Sequence, residues 1–570
     1  MVMKRLKFSY LIAFIMLLSL PAWLYAQSAM KFTIIGIKNA PLTNATERLN
    51  ELAKHTPLRD IPHKRLEEHV ALALAPFGYF TPKVTVRKSF HLITIYIKPG
   101  PRTIIRAINV SLIGEGQANA CIKKSLSALD LVAHEPFDNT RYEKAKQTLL
   151  TAAEAQGYLR AFFKHAQVLV DKAAHQAEVT LILDTGPRFY FGQVQFDPSH
   201  ISPELLKRYI PFCYGQPFSN AKILELNTRL SNTGYFSAVT VKPNTKVTSN
   251  HLPVNVHLQP SPRISYTVGA GFGTDTGPRG KLGYHVVPVN AQGHKFNLIG
   301  LGSMRENTLQ AQYSIPGVNP VVNQYDFTGG ITNLNYRSGK SRAALLTFSQ
   351  RHNLSKCQRV LSLNVLHERY NYVDEPTYTR FALYPKASFT WFSRDKDQLF
   401  VPQGYRLIVD GLLASRALLS QNDIYQLLID AKIAYTLQAT HTRFYLHGIQ
   451  GLTQINNINL LPLSLSLFLG GADNLKGFSY NSIGPGKILS YGGLELQQEV
   501  KENWYALGFV DIGRVYHPQD NPIRRDIGVG AMWVSPVGPI KVGLALPVDD
   551  RFRRLDHASP RLVINIGPEL

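Results

Sequence analysis

The sequence predicts three tandem α+β domains followed by an all-β antiparallel transmembrane barrel of about 16 strands. Three observations carry that reading. A helix-ending Gly-aromatic-apolar tripeptide occurs three times before residue 262, the hydrophobic period becomes two at Arg263, and no helix of convincing length interrupts the 308 residues from there to 570. Length and composition agree. A chain of 570 residues holds several domains at roughly 100–200 residues each, and 45% hydrophobic with 18% charged residues marks folded protein. An odd count of three cysteines (Cys121, Cys213, Cys357) excludes a disulfide-rich scaffold and a multi-cysteine metal array. A mean hydropathy of −0.10 excludes a polytopic helical membrane protein but not a barrel, whose lipid-facing residues occupy only alternate positions. The net charge of +23 admits nucleic acid, acidic lipid or acidic partners without choosing among them.

Residues 1–26 read as a cleavable export signal. Lys4, Arg5 and Lys7 precede the apolar run Tyr10–Leu20, which Pro21 ends. The run falls short of the roughly 20 residues that a membrane-spanning helix needs. Ala26 offers a small residue for cleavage, although Leu24 sits where a small residue is preferred. Export places the cysteines in an oxidising compartment, where a Cys121–Cys213 bridge stays open without support from any spacing rule.

From residue 27 to about 262 one pattern repeats. The helix ends are Gly78-Tyr79-Phe80, Gly157-Tyr158-Leu159 and Gly234-Tyr235-Phe236, with glycines 79 and 77 residues apart, and Pro-containing turns close each copy at Lys98–Pro101, Asp184–Pro187 and Gln259–Pro262. A repeat of this length, with its own core in each copy, means an array of small domains. Each reads as β-α-α-β-β. In the third, Phe189–Phe196 is a strand, Ser202–Tyr209 a short helix, and Ala221–Asn232 a helix with Ile223, Leu226 and Leu230 on one face. Gly234 suits the left-handed residue that stops a helix. Ala238–Lys242 and Val254–Leu258 then alternate as paired strands, as do Lys83–Ser89 and Leu92–Lys98 in the first copy.

Beyond Arg263, Ile264, Tyr266, Val268, Ala270 and Phe272 alternate with small or polar residues, and Leu309, Ala311, Tyr313 and Ile315 do the same. A soluble sandwich would alternate too. The length of the stretch, divided by about 19 residues per strand and turn, gives roughly sixteen strands, an even number as in single-chain bacterial barrels. Because backbone groups cannot stay unpaired in hydrocarbon, such a domain must close on itself.

Two runs carry a resemblance. Gly470–Tyr480 contains Lys476-Gly477-Phe478, and Gly508–Gly513 contains Phe509, Asp511 and Gly513 on one face of a strand. These resemble the lumen-loop and inner-wall motifs of the outer-membrane assembly superfamily that includes BamA, TamA and the two-partner secretion transporters. The family usually has arginine where Lys476 stands. A carboxylate inside a barrel is stable when hydrated or paired, and a loop cation can pair with it and stack on Phe509. Gly477 allows close backbone approach and Gly513 leaves room opposite. Lysine offers a point charge where arginine offers a two-pronged donor, so a weaker or more mobile lock is expected.

Gly271–Arg279, Ser535–Lys541 and the terminal Gly567–Leu570 are similar to the opening hairpin and closing strands of the TamA branch, and three N-terminal repeats match its domain count. The resemblance divides the chain into POTRA domains at 27–100, 101–187 and 188–262 and a barrel at 263–570. It implies a bacterial outer-membrane location with the POTRA domains in the periplasm, client outer-membrane proteins such as autotransporters, and a TamB-like partner anchored in the inner membrane. It also implies a lateral seam between a first strand near Arg263–Thr274 and a short closing strand of Arg561, Leu562, Ile564, Ile566 and Gly567, bracketed by Pro560 and Pro568.

Other signals carry less. Gly271, Gly273 and Gly277 mimic a phosphate loop, but no helix follows. His63 and His69, six residues apart, do not share a helix face. No nucleophile elbow or zinc-protease motif occurs, so no enzyme, cofactor or metal is expected. Arginines and lysines at strand ends would meet anionic lipid head groups, which accounts for the charge without nucleic acid. The competing readings are a two-partner secretion transporter, a passive diffusion porin, and a soluble nucleic-acid-binding protein.

Overall fold

The computed structural model describes residues 31–89, 92–393, 400–519, 521–536, 538–548 and 560–566. The export-signal stretch 1–26 and the terminal run from Gly567 lie outside the described residues.

Each repeat folds as strand, two helices, two strands. The first comprises β1 (Lys31–Ile35), α1 (Asn39–His55), α2 (His63–Leu74), β2 (Lys83–Lys88) and β3 (Leu92–Lys98). Central β3 pairs β1 in parallel and β2 antiparallel. Its alternation turns Ile93, Ile95 and Ile97 onto Leu49 of α1 and Leu66, Val70 and Leu74 of α2. Each such buried aliphatic contributes about 1.5–3 kcal/mol. The second repeat has β4 (Ile104–Ile113), α3 (Ala120–Ser127), α4 (Asn139–Ala155), β5 (Phe162–Asp171) and β6 (Gln176–Asp184), in sheet order β4-β6-β5. Asn119 and Asp138 cap its helices by accepting from otherwise orphan N–H groups. The third has β7 (Tyr190–Phe196), α5 (Pro203–Lys207), α6 (Asn220–Ser231), β8 (Phe236–Pro243) and β9 (His251–Pro260), in order β7-β9-β8. Here α5 is shorter than expected at both ends: Ser202 is its cap, accepting from Leu205 N, and Arg208 already ends it. Leu226 and Leu230 are fully buried, whereas Ile223 is half-buried.

The repeated tripeptide ends helices and also makes joints. Gly78, Gly157 and Gly234 adopt φ of 87°, 93° and 76°, a region that favours glycine. The Gly78 carbonyl accepts from Thr103 N and the Gly157 carbonyl from Phe189 N, each at 2.8 Å. In the third copy the Tyr235 hydroxyl donates to the Gly293 carbonyl at 2.7 Å, and Lys295 Nζ to the Thr233 carbonyl at 2.7 Å. The described residues form two compact units. One holds residues through Val194 with 212–224 and 243–254; the other holds 195–211, 225–242 and 255 onward.

The barrel has sixteen strands paired in chain order. They are β10 (Ile264–Gly273), β11 (Gly277–Val286), β12 (Lys295–Ser303), β13 (Glu306–Pro316), β14 (Asn323–Tyr336), β15 (Gly339–Asn353), β16 (Cys357–Tyr372) and β17 (Tyr378–Phe392). The second half comprises β18 (Gly404–Ala414), β19 (Ile424–Leu437), β20 (Thr442–Gln454), β21 (Ile488–Lys501), β22 (Trp504–Tyr516), β23 (Arg524–Ser535), β24 (Gly538–Pro547) and β25 (Arg561–Ile566). Neighbours are antiparallel, and Gly271–Gly277 is the first hairpin, not a phosphate loop. Val268, Leu346 and Val529 on the outer face are 79%, 63% and 66% exposed, as a lipid-facing surface requires. Trp504 and Trp533 stack as cross-strand partners at one rim. Among the described residues no helix is long and apolar enough to cross a membrane. The three cysteines are free thiols.

Candidate functional site

The long segment 455–487 between β20 and β21 folds into the barrel rather than away from it. Leu461, Leu463, Leu469, Leu475 and Phe478 are all buried, and a bridge between Leu469 and Ile483 closes the loop on itself. The wall holds it through polar groups. Tyr370 and Tyr372 donate their hydroxyls to the carbonyls of Asn459 (3.1 Å) and Leu461 (2.8 Å). Glu368 accepts from the backbone N–H and the hydroxyl of Ser464.

At the loop's inner end, Lys476 Nζ lies 2.9 Å and 3.2 Å from the two oxygens of Asp511 and 4.6 Å from the centre of the Phe509 ring. Asp511 is 1% exposed and also accepts from the Tyr491 hydroxyl at 2.8 Å. Buried this deeply, the carboxylate needs both partners. The next loop residue reaches a second carboxylate, Gly477 N donating to Asp526 Oδ2 at 2.8 Å. A Cβ at Gly477 would stand 2.9 Å from Asp526 Cβ and 3.1 Å from Pro547 N, so the contact requires glycine. Gly513 opens the wall where Leu469 and Leu475 approach. Beside the lock, Lys432 pairs with Asp473 at 3.0 Å, and both ring nitrogens of His447 meet acceptors, Asp430 Oδ1 at 3.2 Å and the Asp473 carbonyl at 3.1 Å.

The same loop touches the seam. β10 and β25 are the two ends of the sheet, and among the described residues no ladder joins them. β25 pairs β24 over six residues, whereas β10 pairs β11 over ten. The contacts across the gap are side-chain contacts. Ile564 N donates to Thr274 Oγ1 at 3.3 Å, and Arg561 forms an ion pair with Asp275 in the first hairpin. Asp275 uses its other oxygen to accept from Ala472 N of the loop at 2.6 Å, and Arg561 also donates to the Lys476 carbonyl at 3.4 Å. Loop, first hairpin and last strand thus meet at one charged node. Phe509 links lock and seam a second way, packing with Ala545 of β24 and Val563 of β25.

Residues 303–569 match the family model of the Omp85 superfamily domain. The barrel is an Omp85 superfamily domain. Residues 189–260 match a POTRA model described as a surface antigen variable number repeat, and residues 31–99 a model described as POTRA domain TamA domain 1. The crystal structure of BamA from Haemophilus ducreyi lacking POTRA domains 1–3 shares the fold, with TM-score 0.66 and 16% identity over 81% of this chain and 99% of that one. CdiB from Acinetobacter baumannii and CdiB from Escherichia coli each give TM-score 0.46 and 13% identity over 93% of this chain and 98% of theirs.

In this Omp85 barrel Lys476, Gly477 and Phe478 lie in the lumen against the wall residues Phe509, Asp511 and Gly513. Leu562, Ile564 and Ile566 line one face of β25, with Leu562 and Ile566 exposed. Its other face is not merely small or polar, because Val563 is buried against Phe509. Asp526, Tyr491 and Glu368 have no motif of their own, and Asp275 lies in the Gly271–Arg279 run with nothing there to mark it as a contact residue. Each becomes visible only through a partner distant in sequence, although an acidic residue on the inner side of a period-two strand is a usable signal.

Proposed function

We propose that this chain is a TamA-like assembly factor that inserts or translocates client outer-membrane proteins, autotransporters among them, through the seam between β10 and β25. One observation carries the reading: β10 presents a ten-residue strand with no ladder partner on its seam side among the described residues, closed by a few side-chain contacts. An unpaired backbone group in hydrocarbon costs several kcal/mol. A client strand entering the bilayer therefore gains by pairing with an edge offered beside it. In this reading the POTRA domains lie in the periplasm, which has no ATP, so the driving free energy is the client's own strand pairing and burial, and the chain performs no catalytic chemistry. A long loop folded back into the bore favours assembly over passive diffusion. The TamA-type first domain supports a TamB-like partner anchored in the inner membrane and docked on the POTRA domains.

The test is a covalent seam. Cysteines replacing Thr274 and Ile564, bridged by a short bifunctional maleimide, should abolish display of an autotransporter passenger at the cell surface, while the unbridged double variant remains active. Full activity of the bridged protein would overturn the reading.

A further inference from the structure

The outer face of β14, β15 and β16 sorts its side chains into rows that the lumen loop and the seam do not use. Asn333 is paired across the ladder with Arg342, and Arg342 with Arg369. Two residues nearer the rim stands Lys340; two residues deeper, Ile331, Ala344 and His367 form the next row, and Leu346 with Val365 the one below. Lys340, Arg342, His367 and Arg369 are all exposed, as are Ile331 and Leu346, at 59% and 63%.

Two guanidinium groups directly opposed on one face repel each other, yet among the described residues none pairs with Lys340, Arg342 or Arg369. The nearest strand carboxylate does not help. Glu368 turns to the lumen, where Ser341 and Ser464 take up both its oxygens. Below the cations two adjoining depressions of about 520 and 490 Å³ share Leu309, Ile331 and Ala344 as lining, with Arg342 and His367 at the upper edge. Arg342 lies three residues from the end of β15 at Gly339, about 10 Å along the strand. With the strand end taken as the membrane rim, that is head-group depth, where a lipid-facing charge is tolerated, and Leu346 reaches the acyl region.

We infer that this face binds a phosphorylated acyl glycolipid, its phosphate bridging Arg342 and Arg369 and an acyl chain lying in the groove over Ile331 and Leu346. Arginine is suited to the head group, since its fork matches phosphate oxygens two at a time. One phosphate between the two side chains also replaces their repulsion with attraction. The assignment to the outer leaflet rests on the POTRA domains being periplasmic as proposed above: β10 then runs outward, and strands alternating in chain order put the 337–338 turn at the cell surface.

The test uses the full chain in detergent, with binding read by native mass spectrometry and by the temperature at which the folded band is lost on gels. Bisphosphorylated lipid A should bind and raise that temperature. Dephosphorylated lipid A, phosphatidylethanolamine and inorganic phosphate should each do so at least tenfold more weakly. R342Q/R369Q should weaken bisphosphorylated lipid A by about tenfold or more, as expected for losing charge-assisted hydrogen bonds, while R416Q, an exposed arginine of the 415–423 turn, should not. Should the double variant fail to fold, R369Q alone and the ligand series on the unmodified chain decide. Equal binding by the variant overturns the proposal. Equal effect of inorganic phosphate reduces the site to a bare anion site, and protein rather than lipid retained on the patch overturns the lipid assignment. Lipid binding is read without any client, so its failure alongside an inactive bridged seam would leave the assembly reading standing. Lipid binding alongside an active bridged seam would sink that reading instead.

Discussion

Asp511 on β22 faces Asp526 on β23 directly across the ladder, and both carboxylates are almost fully buried. The loop supplies one cation, Lys476, and one N–H, that of Gly477, to this pair. The lumen loop is therefore more than a plug. It is the counter-charge that lets two like groups share a buried stretch of wall, and expelling the loop strands both.

Removing either side of the lock should cost much the same as removing both. K476A leaves a buried carboxylate unpaired, which typically costs about 3–5 kcal/mol, and D511A leaves the lysine and Tyr491 without their acceptor. In a double-mutant cycle the K476A/D511A effect should fall short of the sum by one single-variant loss, about 3–5 kcal/mol. Heat-modifiability on gels checks this, and additive losses would show that the two residues act separately.

Asp526 behaves oppositely in this picture. D526N keeps an oxygen for Gly477 N and removes the charge facing Asp511. It should leave stability unchanged or raise it by up to about 1 kcal/mol, the scale of like-charge repulsion across a ladder. A loss as large as that of D511A, measured in the same assay, would mean that Asp526 has a cationic partner of its own.

G477A should loosen the loop without removing any charge. The added methyl must displace Asp526 or the backbone at Pro547, and overpacking of this kind costs about 1–3 kcal/mol. Faster protease cleavage within 455–487, compared with the unmodified chain, is the expected readout.

Asp275 and Arg561 should act as a pair that closes the seam. D275A and R561A each should lower the temperature at which the folded band is lost, by an amount corresponding to about 2 kcal/mol, and D275A/R561A should lower it little further. Because Asp275 also holds Ala472 of the loop, both variants should accelerate labelling of a cysteine placed at 472. A labelling rate unchanged from the parent would separate the loop from the seam.

Deleting residues 27–100 should uncouple the chain from its inner-membrane-anchored partner while the barrel still folds. The joint that serves the barrel is Tyr235 on Gly293, which the deletion leaves intact. Co-purification from envelopes together with a normal heat-modified shift is the check, and a partner retained at full yield would place the docking surface elsewhere.

Much of this was legible in the amino-acid order because it depends on near neighbours alone. Alternation over Ile264–Phe272 assigns an outward face whatever strand lies alongside, and a glycine after an amphipathic run ends a helix in any context. The same holds within β22, where a period of two puts Phe509, Asp511 and Gly513 on one side before any partner is known. Which groups those side chains meet was beyond reach of local pattern. Lys476 and Asp511, 35 positions apart, are linked in the sequence only by the family resemblance, and for Asp275 and Arg561, 286 apart, nothing in either segment names the other. Ladder register decided that Asp526 stands opposite Asp511 and that Arg342 stands opposite Arg369. Burial then converted those placements into energies, since a charge is cheap in water and costly wherever the chain excludes it.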